Sequence, residues 1–289
     1  MKNILEYILF ILLANFYSLI GLKTARRFAP MISRFFFFII PIRRKTVIEN
    51  LTNAFPEYSS DKIKTIAYES YKSFSLALVE LFCVKKMSRQ ELENAVNCPG
   101  RNLINEKYDD GKGLILLSAH FGNWEYVALS VSAQVKKTFN VVVKSQRNPY
   151  VNNWMNDIRT KWENKIIPLG ASIRQVYSAL KDKKIVAMVA DQRGPVDGIR
   201  VNFFGRKVSV YPGPAILAIK TGAPIIYGLT VRQKDQNYFT ELVEIDTQNL
   251  SGTEDEKVTE LCQRHMSYLE SMIRKYPEQW LWMHKLWKY

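Results

Sequence analysis

The first two dozen residues restrict this chain more than any other stretch. Within residues 3–22 only Glu6 carries a charge at neutral pH, and residues 7–22 (YILFILLANFYSLIGL) carry none. Twenty helical residues extend ~30 Å, the depth of a bilayer's hydrocarbon layer. The stretch reads as a membrane anchor, either spanning or, given Glu6, Asn15 and Ser18, lying along the interface. Gly21-Leu22-Lys23 leads straight into further apolar sequence, with no small-x-small cleavage pattern, so a removed signal peptide is disfavoured. Residues 23–45 then bring seven basic side chains and no acidic one, around the run Phe35-Phe36-Phe37-Phe38-Ile39-Ile40-Pro41. Aromatics flanked by arginines suit a segment in the lipid headgroup region; a buried segment of the globular body is the alternative. Because the basic cluster follows the apolar run, everything after it is expected on the cytoplasmic side. Residues 1–45 are therefore read as anchor and interfacial segment, and residues 46–289 as one cytoplasmic domain.

The chain carries 41 Lys+Arg against 27 Asp+Glu, a formal charge of +14. An anionic partner follows: nucleic acid, an anionic lipid surface or an acidic carrier protein. A hydrophobic content of 47% with 13 Gly and 11 Pro excludes a disordered or collagenous chain. Cys83, Cys98 and Cys262 are scattered and odd in number, which suits thiols in a reducing compartment rather than a disulfide or metal framework.

After residue 46 strand and helix signals alternate. Residues 60–86 show helical spacing from a Ser/Asp start, as do 151–163, 172–181 and 215–221. Short apolar runs at 114–119, 140–144, 185–190 and 224–231 read as buried strands, the first preceded by the turn Asp110-Gly111-Lys112-Gly113. The alternation predicts an α/β fold with a mainly parallel central sheet flanked by helices. A last helix is expected from Thr253, with Glu256 closing a capping box. The aromatic and basic tail of residues 280–287 is a candidate for membrane or substrate contact.

Two of the three histidines precede a glutamate by five residues: His120 with Glu125, and His265 with Glu270. Within one continuous helix, positions i and i+5 lie ~140° apart and face away from each other. His265 and Glu270 fall inside the Thr253 helix and should not meet. His120 instead ends a strand, and Phe121-Gly122-Asn123-Trp124-Glu125 opens a helix, so a curled junction can bring its two ends together. Gly122 permits the tight backbone and Asn123 can cap. Ligands of open α/β sheets sit at the carboxyl ends of strands, and a helix N-terminus keeps a nearby imidazole neutral. His120 is then a general base with Glu125 fixing its tautomer, and no Ser or Cys nucleophile motif is present. On residues alone, a structural histidine stays open as the alternative.

Ala119-His120-Phe121-Gly122-Asn123-Trp124-Glu125 resembles the signature of the bacterial lipid A biosynthesis acyltransferases. Further blocks follow in the family's order: Asn50-Leu51, Phe55-Pro56-Glu57, Asp191-Gln192, Val201-Asn202-Phe203-Phe204-Gly205, Gly213-Pro214-Ala215, Thr221-Gly222-Ala223-Pro224 and Pro277-Glu278-Gln279-Trp280-Leu281-Trp282. The resemblance implies a glycerolipid-acyltransferase-like fold, N-terminally anchored in the bacterial inner membrane. It implies transfer of a fatty acyl chain from acyl carrier protein to a hydroxyl on a Kdo2-lipid IVA type acceptor. His120 and Glu125 are then catalytic, and Arg159, Lys144, Asn123 and Asp191 bind substrate. Lys144 stands where the family commonly has Arg, with Arg147 as a nearby guanidinium. No metal or cofactor is expected beyond the carrier-protein thioester, and no nucleic acid. The same transfer onto another glycolipid or hydroxyacyl lipid is the alternative; a tethered binder of anionic lipid or nucleic acid is the non-enzymatic one.

Overall fold

A computed structural model describes residues 1–170 and 173–288. The chain opens with α1 (Lys2–Ile20), α2 (Leu22–Arg34), a π-helical turn at Phe35–Ile39, α3 (Arg44–Ala54), α4 (Ser60–Val84) and α5 (Arg89–Ala95). Next come β1 (Val96–Asn97), α6 (Asn102–Asp109), β2 (Leu114–Ser118), α7 (Trp124–Val135), β3 (Phe139–Val143) and α8 (Pro149–Arg159). β4 (Lys165–Pro168), α9 (Ile173–Lys181), β5 (Ile185–Val189) and the hairpin β6 (Arg200–Phe203)–β7 (Arg206–Ser209) follow. The chain closes with α10 (Gly213–Thr221), β8 (Ile225–Arg232), β9 (Tyr238–Ile245) and α11 (Glu254–Lys275).

Among the described residues the main sheet has seven strands in the order β1-β9-β8-β2-β5-β3-β4. β4, β3, β5, β2 and β8 are mutually parallel; β9 is antiparallel to β8, and β1 runs with β9. This is the mainly parallel, helix-flanked α/β architecture the alternation predicted. β2 lies between β5 and β8, so its Leu114, Ile115 and Leu117 are buried. Gly113 turns the chain into β2 at φ +73°, where a Cβ would sit 2.5 Å from the Leu180 carbonyl oxygen. Only glycine tolerates both the backbone angle and the approach.

The local signals locate most elements to within a few residues. α4 begins at Ser60 with Ser59 as its cap, and the expected capping box of Thr253 and Glu256 starts α11. The helix read over 151–163 spans Pro149–Arg159, with Asn148 as cap. The helix read over 172–181 is observed from Ile173; Ser172 lies outside the described residues. β4, β9 and the β6–β7 hairpin carry no apolar run strong enough to be read beforehand.

α1 is long and apolar enough by length and composition to cross a membrane, and most of its large apolar side chains are exposed. One side is docked: Tyr17 is buried, and Phe10 meets the rings of Phe82 on α4 and Trp154 on α8 edge-on. Ala25 and Ala29 of α2 are fully buried in the same cluster, which α4 supplies with Leu76, Val79 and Phe82. Of the phenylalanine run, Phe37 is buried against Tyr68 and Tyr71, whereas Phe38, Ile39 and Ile40 stay exposed. The C-terminal tail departs from expectation. Trp280, Trp282 and Leu286 are core residues, packed with Phe55, Phe203 and Phe204, so this stretch is not a free contact surface.

His265 and Glu270 do not meet, as their helical spacing required. Glu270 accepts the Phe204 N–H at 2.6 Å and pairs with Arg274. The His265 ring is fully buried beside Tyr227, and neither of its nitrogens has a hydrogen-bond partner among the described residues. Burial pushes its pKa down to about 4. Unfolded, the ring takes its proton near the ordinary ~6.5, so the folded state binds fewer protons between those values. Stability is therefore lost as pH falls through that window, by about 3 kcal/mol at most. His265→Leu is expected to raise the urea midpoint, equivalent to about 1–3 kcal/mol of unfolding free energy from removing orphaned polar atoms. The gain should be larger at pH 5 than at pH 7; an equal or negative change at both would show that the ring is satisfied in solution.

Candidate active site

The site forms where β2 and β5 end. Their parallel register pairs Leu114 with Ile185 and Ser118 with Val189. His120 and Asp191, each two residues past its strand, therefore emerge side by side. His120 Nδ1 lies 2.7 Å from Asp191 Oδ1, and the His120 backbone N–H donates to Asp191 Oδ2 at 2.8 Å. The Trp280 indole N–H donates to the same oxygen at 2.9 Å. A carboxylate can only accept here, so the Nδ1 nitrogen carries the hydrogen and Nε2 keeps its lone pair. Gln192 Nε2 stands 3.4 Å from that nitrogen.

The loop after His120 is held on both sides. The His120 carbonyl accepts the Leu281 N–H at 3.0 Å, and Gly122 N–H donates to the Gln279 carbonyl at 2.8 Å. A Cβ on Gly122 would come 1.9 Å from the Thr230 carbonyl oxygen, so the loop reaches β8 only with glycine there.

Asp191, not Glu125, is the carboxylate on the His120 ring. Glu125, in the first turn of α7, does not hold the ring; its carboxylate takes a two-point contact from Arg159, Nε to Oε2 at 3.0 Å and Nη2 to Oε1 at 2.6 Å. Asp191, expected at the substrate, is buried on the imidazole. The reason is topological: a neighbouring parallel strand places its following residue at the ring, while the first turn of α7 faces the last turn of α8. Arg159 is mostly buried, and its Nη1 has no hydrogen-bond partner among the described residues. Asn123 is also turned inward and does not line the cavity described below. It is 2% exposed, its Oδ1 caps α7 at the Tyr126 N–H (3.2 Å), and its Nδ2 donates to Glu80 at 2.9 Å.

Electrostatics follow this pairing. Burial opposes charge on His120, but the Asp191 carboxylate outweighs it, aided by Glu125 and opposed by Arg159, so the ring's pKa is raised. Burial acts to raise the Asp191 carboxyl, yet His120 and the Trp280 N–H hold it below the ordinary aspartate range. His284 lies nearby, its ring 5.9 Å from that of His120; burial, then the charge of His120, pushes it down to about 4.

His120, Glu125, Arg159 and Lys144 line one cavity of about 840 Å³. Gln146, Arg174 and Gln192 add polar groups to its lining, and the rest is mainly apolar side chains, among them those of α7, α10, β2, β3, β5 and β9. Phe139 lines it at the start of β3 and Val143 at the end, so the apolar part follows the strands for ~13 Å. Leu169, Ile173 and Tyr211 line the cavity as well and are strongly exposed. Arg147 points elsewhere, pairing with Glu6 of α1 at 2.8 Å. Trp280 and His284 are marked in the sequence only as part of the C-terminal tail and Gln192 only within the Asp191-Gln192 block, since nothing in their spacing links them to His120.

Comparison with known proteins agrees in kind with this geometry. The Lipid A biosynthesis palmitoleoyltransferase of Escherichia coli (strain K12) is 21% identical over 252 residues, 85% of this chain and 79% of that one. The lauroyltransferase of lipid A biosynthesis from the same strain is 22% identical over 248 residues, with the same coverage. The Phosphatidylinositol mannoside acyltransferase of Mycobacterium tuberculosis (strain ATCC 25618 / H37Rv) is 24% identical over 177 residues, 59% of this chain. The match spans 55% of that mycobacterial protein, about half its length. The family model described as bacterial lipid A biosynthesis acyltransferase matches residues 2–289, and the chain belongs to that family.

Proposed function

We propose that this protein transfers a fatty acyl chain from an acyl carrier protein thioester to a hydroxyl of a Kdo2-lipid IVA type lipid A precursor. The observation that carries the reading is His120, with Nδ1 on buried Asp191, at the polar mouth of an elongated apolar cavity. Nε2 removes the proton of the acceptor hydroxyl as its oxygen attacks the thioester carbonyl. The tetrahedral intermediate collapses, the C–S bond breaks, and the departing thiolate takes the proton back from Nε2. Asp191 holds the tautomer and stabilises the imidazolium in between. Arg159, braced by Glu125, offers its unpartnered Nη1 to developing negative charge or to a lipid phosphate. The acyl chain lies along the apolar walls, while Lys144 and Arg174 at the mouth favour an anionic headgroup or carrier.

In this reading the enzyme works at the cytoplasmic face of the bacterial inner membrane, held by α1 and the exposed aromatic turn at 35–39. The mycobacterial relatives favour a second acceptor class, an acylated glycolipid other than lipid A, served by the same chemistry.

The direct test gives detergent-solubilised enzyme lauroyl- or myristoyl-acyl carrier protein with Kdo2-lipid IVA, and follows the product by mass spectrometry. One added acyl chain is expected from wild type, and none from His120→Ala. Equal product from His120→Ala would sink the mechanism; no product from several donors would redirect the search to other hydroxylated lipids. Asp191→Asn is expected to lower kcat about 10²- to 10⁴-fold. The neutral ring is the active form, so activity rises with pH through a His120 pKa that Asp191 holds above the ordinary ~6.5. In Asp191→Asn that acid limb should move to lower pH; an unmoved limb would assign the titration to another group. Filling the cavity with Ala128→Trp should shift preference toward shorter donors, each methylene being worth ~1–3 kcal/mol, as read by competing acyl-chain lengths.

A further inference from the structure

Glu80, in the middle of α4, is fully buried and lines no part of the substrate cavity. Its Oε1 accepts from Arg26 Nε at 2.8 Å and from Arg232 Nη1; its Oε2 accepts from Arg232 Nη2 at 3.1 Å, the Tyr238 hydroxyl at 2.6 Å and Asn123 Nδ2 at 2.9 Å. These donors come from α2, β8, β9 and the loop that follows His120. Burial works against the carboxylate's charge, but Arg232, Arg26 and the Tyr238 hydroxyl keep its pKa below the ordinary glutamate value. The balance is not neutral, for two guanidiniums share one carboxylate, and Arg26 Nη2 and Arg232 Nε are buried without partners among the described residues. Such a cluster gives little net stability, because well-packed apolar residues often match or exceed a buried ion pair. What it does supply is direction.

On one side the cluster sets the catalytic loop. The bond to Glu80 fixes which way the Asn123 amide faces, so that Oδ1 meets the Tyr126 N–H and caps α7. The Tyr126 hydroxyl returns to the Glu80 carbonyl at 3.2 Å. Arg232 clasps the Gln279 side chain through its backbone N–H (2.7 Å) and carbonyl (3.1 Å), and the Gln279 carbonyl holds Gly122. On the other side, Arg26 belongs to α2, whose Phe28 and Met31 are exposed while Ala25 and Ala29 are buried on α4.

We infer that Glu80 is a positioning residue that ties the docking of α2, through Arg26, to the placement of the His120 loop, through Asn123. The geometric part stands by itself; its consequence for turnover rests on the acyl-transfer reading. Glu80→Gln would set an amide N–H₂ against a ring of donors, so one of them must turn away. Arg26→Met keeps the length and removes the donor. Asn123→Ser keeps a helix cap and removes the bond to Glu80.

The experiment is amide hydrogen exchange, read by mass spectrometry on the full chain in detergent, with thermal midpoints measured alongside. Arg26→Met is expected to speed exchange in residues 120–126 about tenfold as well as in α2, with the β5 segment as protected as in wild type. Asn123→Ser should speed exchange in residues 120–126 alone. With acyl donor and acceptor present, both variants should lose about tenfold in kcat while KM for the donor holds within about threefold, the mark of misplacement rather than lost binding. Exchange in residues 120–126 within twofold of wild type in both variants would overturn the inference. Should Glu80→Gln fail to fold, these two variants decide the matter. If wild type itself transfers no acyl chain, the reaction assignment fails while the exchange data still decide the coupling.

Discussion

The pairing of His120 with Asp191 depends on one constraint, the parallel register of β2 against β5. Shifting that register by one residue would turn every side chain of a strand to the opposite face. It would also draw the carboxylate off the imidazole. The register is well specified because both strands are interior and covered on both faces, with Leu114, Ile115, Ile185 and Val186 almost wholly buried. The geometry of the candidate site is thus inherited from the most buried part of the molecule, and His120 and Asp191 sit where that core ends.

Two distant parts of the chain complete the site from outside the sheet. The C-terminal segment bonds to both ends of the HFG turn and lends the Trp280 indole to Asp191. The N-terminal helices reach the same turn through α4 and Glu80. A site whose loop is braced from both ends of the chain can be assembled only when the whole domain is folded. The long apolar helix α1 and its neighbour α2 belong to that assembly, packed on α4.

The sequence-based reading succeeded where signals are local. The strand–turn–helix junction at His120, the cap of α11 and the separation of His265 from Glu270 all follow from spacing within a few residues. It misassigned partners wherever the partner lies on another element. Glu125 is five residues from His120, which made it the natural candidate, yet its carboxylate is taken by Arg159. Asp191 was legible as a functional residue but not as the one on the ring. The tail at 280–287 shows the same limit, since an aromatic and basic composition fits a membrane surface and a core equally well until packing is known.

What the sequence by itself determined is the class of the molecule: an α/β body with a mainly parallel sheet, a long apolar N-terminal helix, and a histidine at the carboxyl end of a central strand. Periodicity, caps and glycine turns are properties of neighbouring residues, so they can be read in one dimension. Only the tertiary structure decided which carboxylate meets His120, that Glu125 braces Arg159, that Asn123 faces Glu80, and that an apolar cavity opens beside them. The physical reason is that hydrogen-bond partners are chosen by strand order and register. Residues 120 and 191 become neighbours only once the sheet has placed their strands side by side.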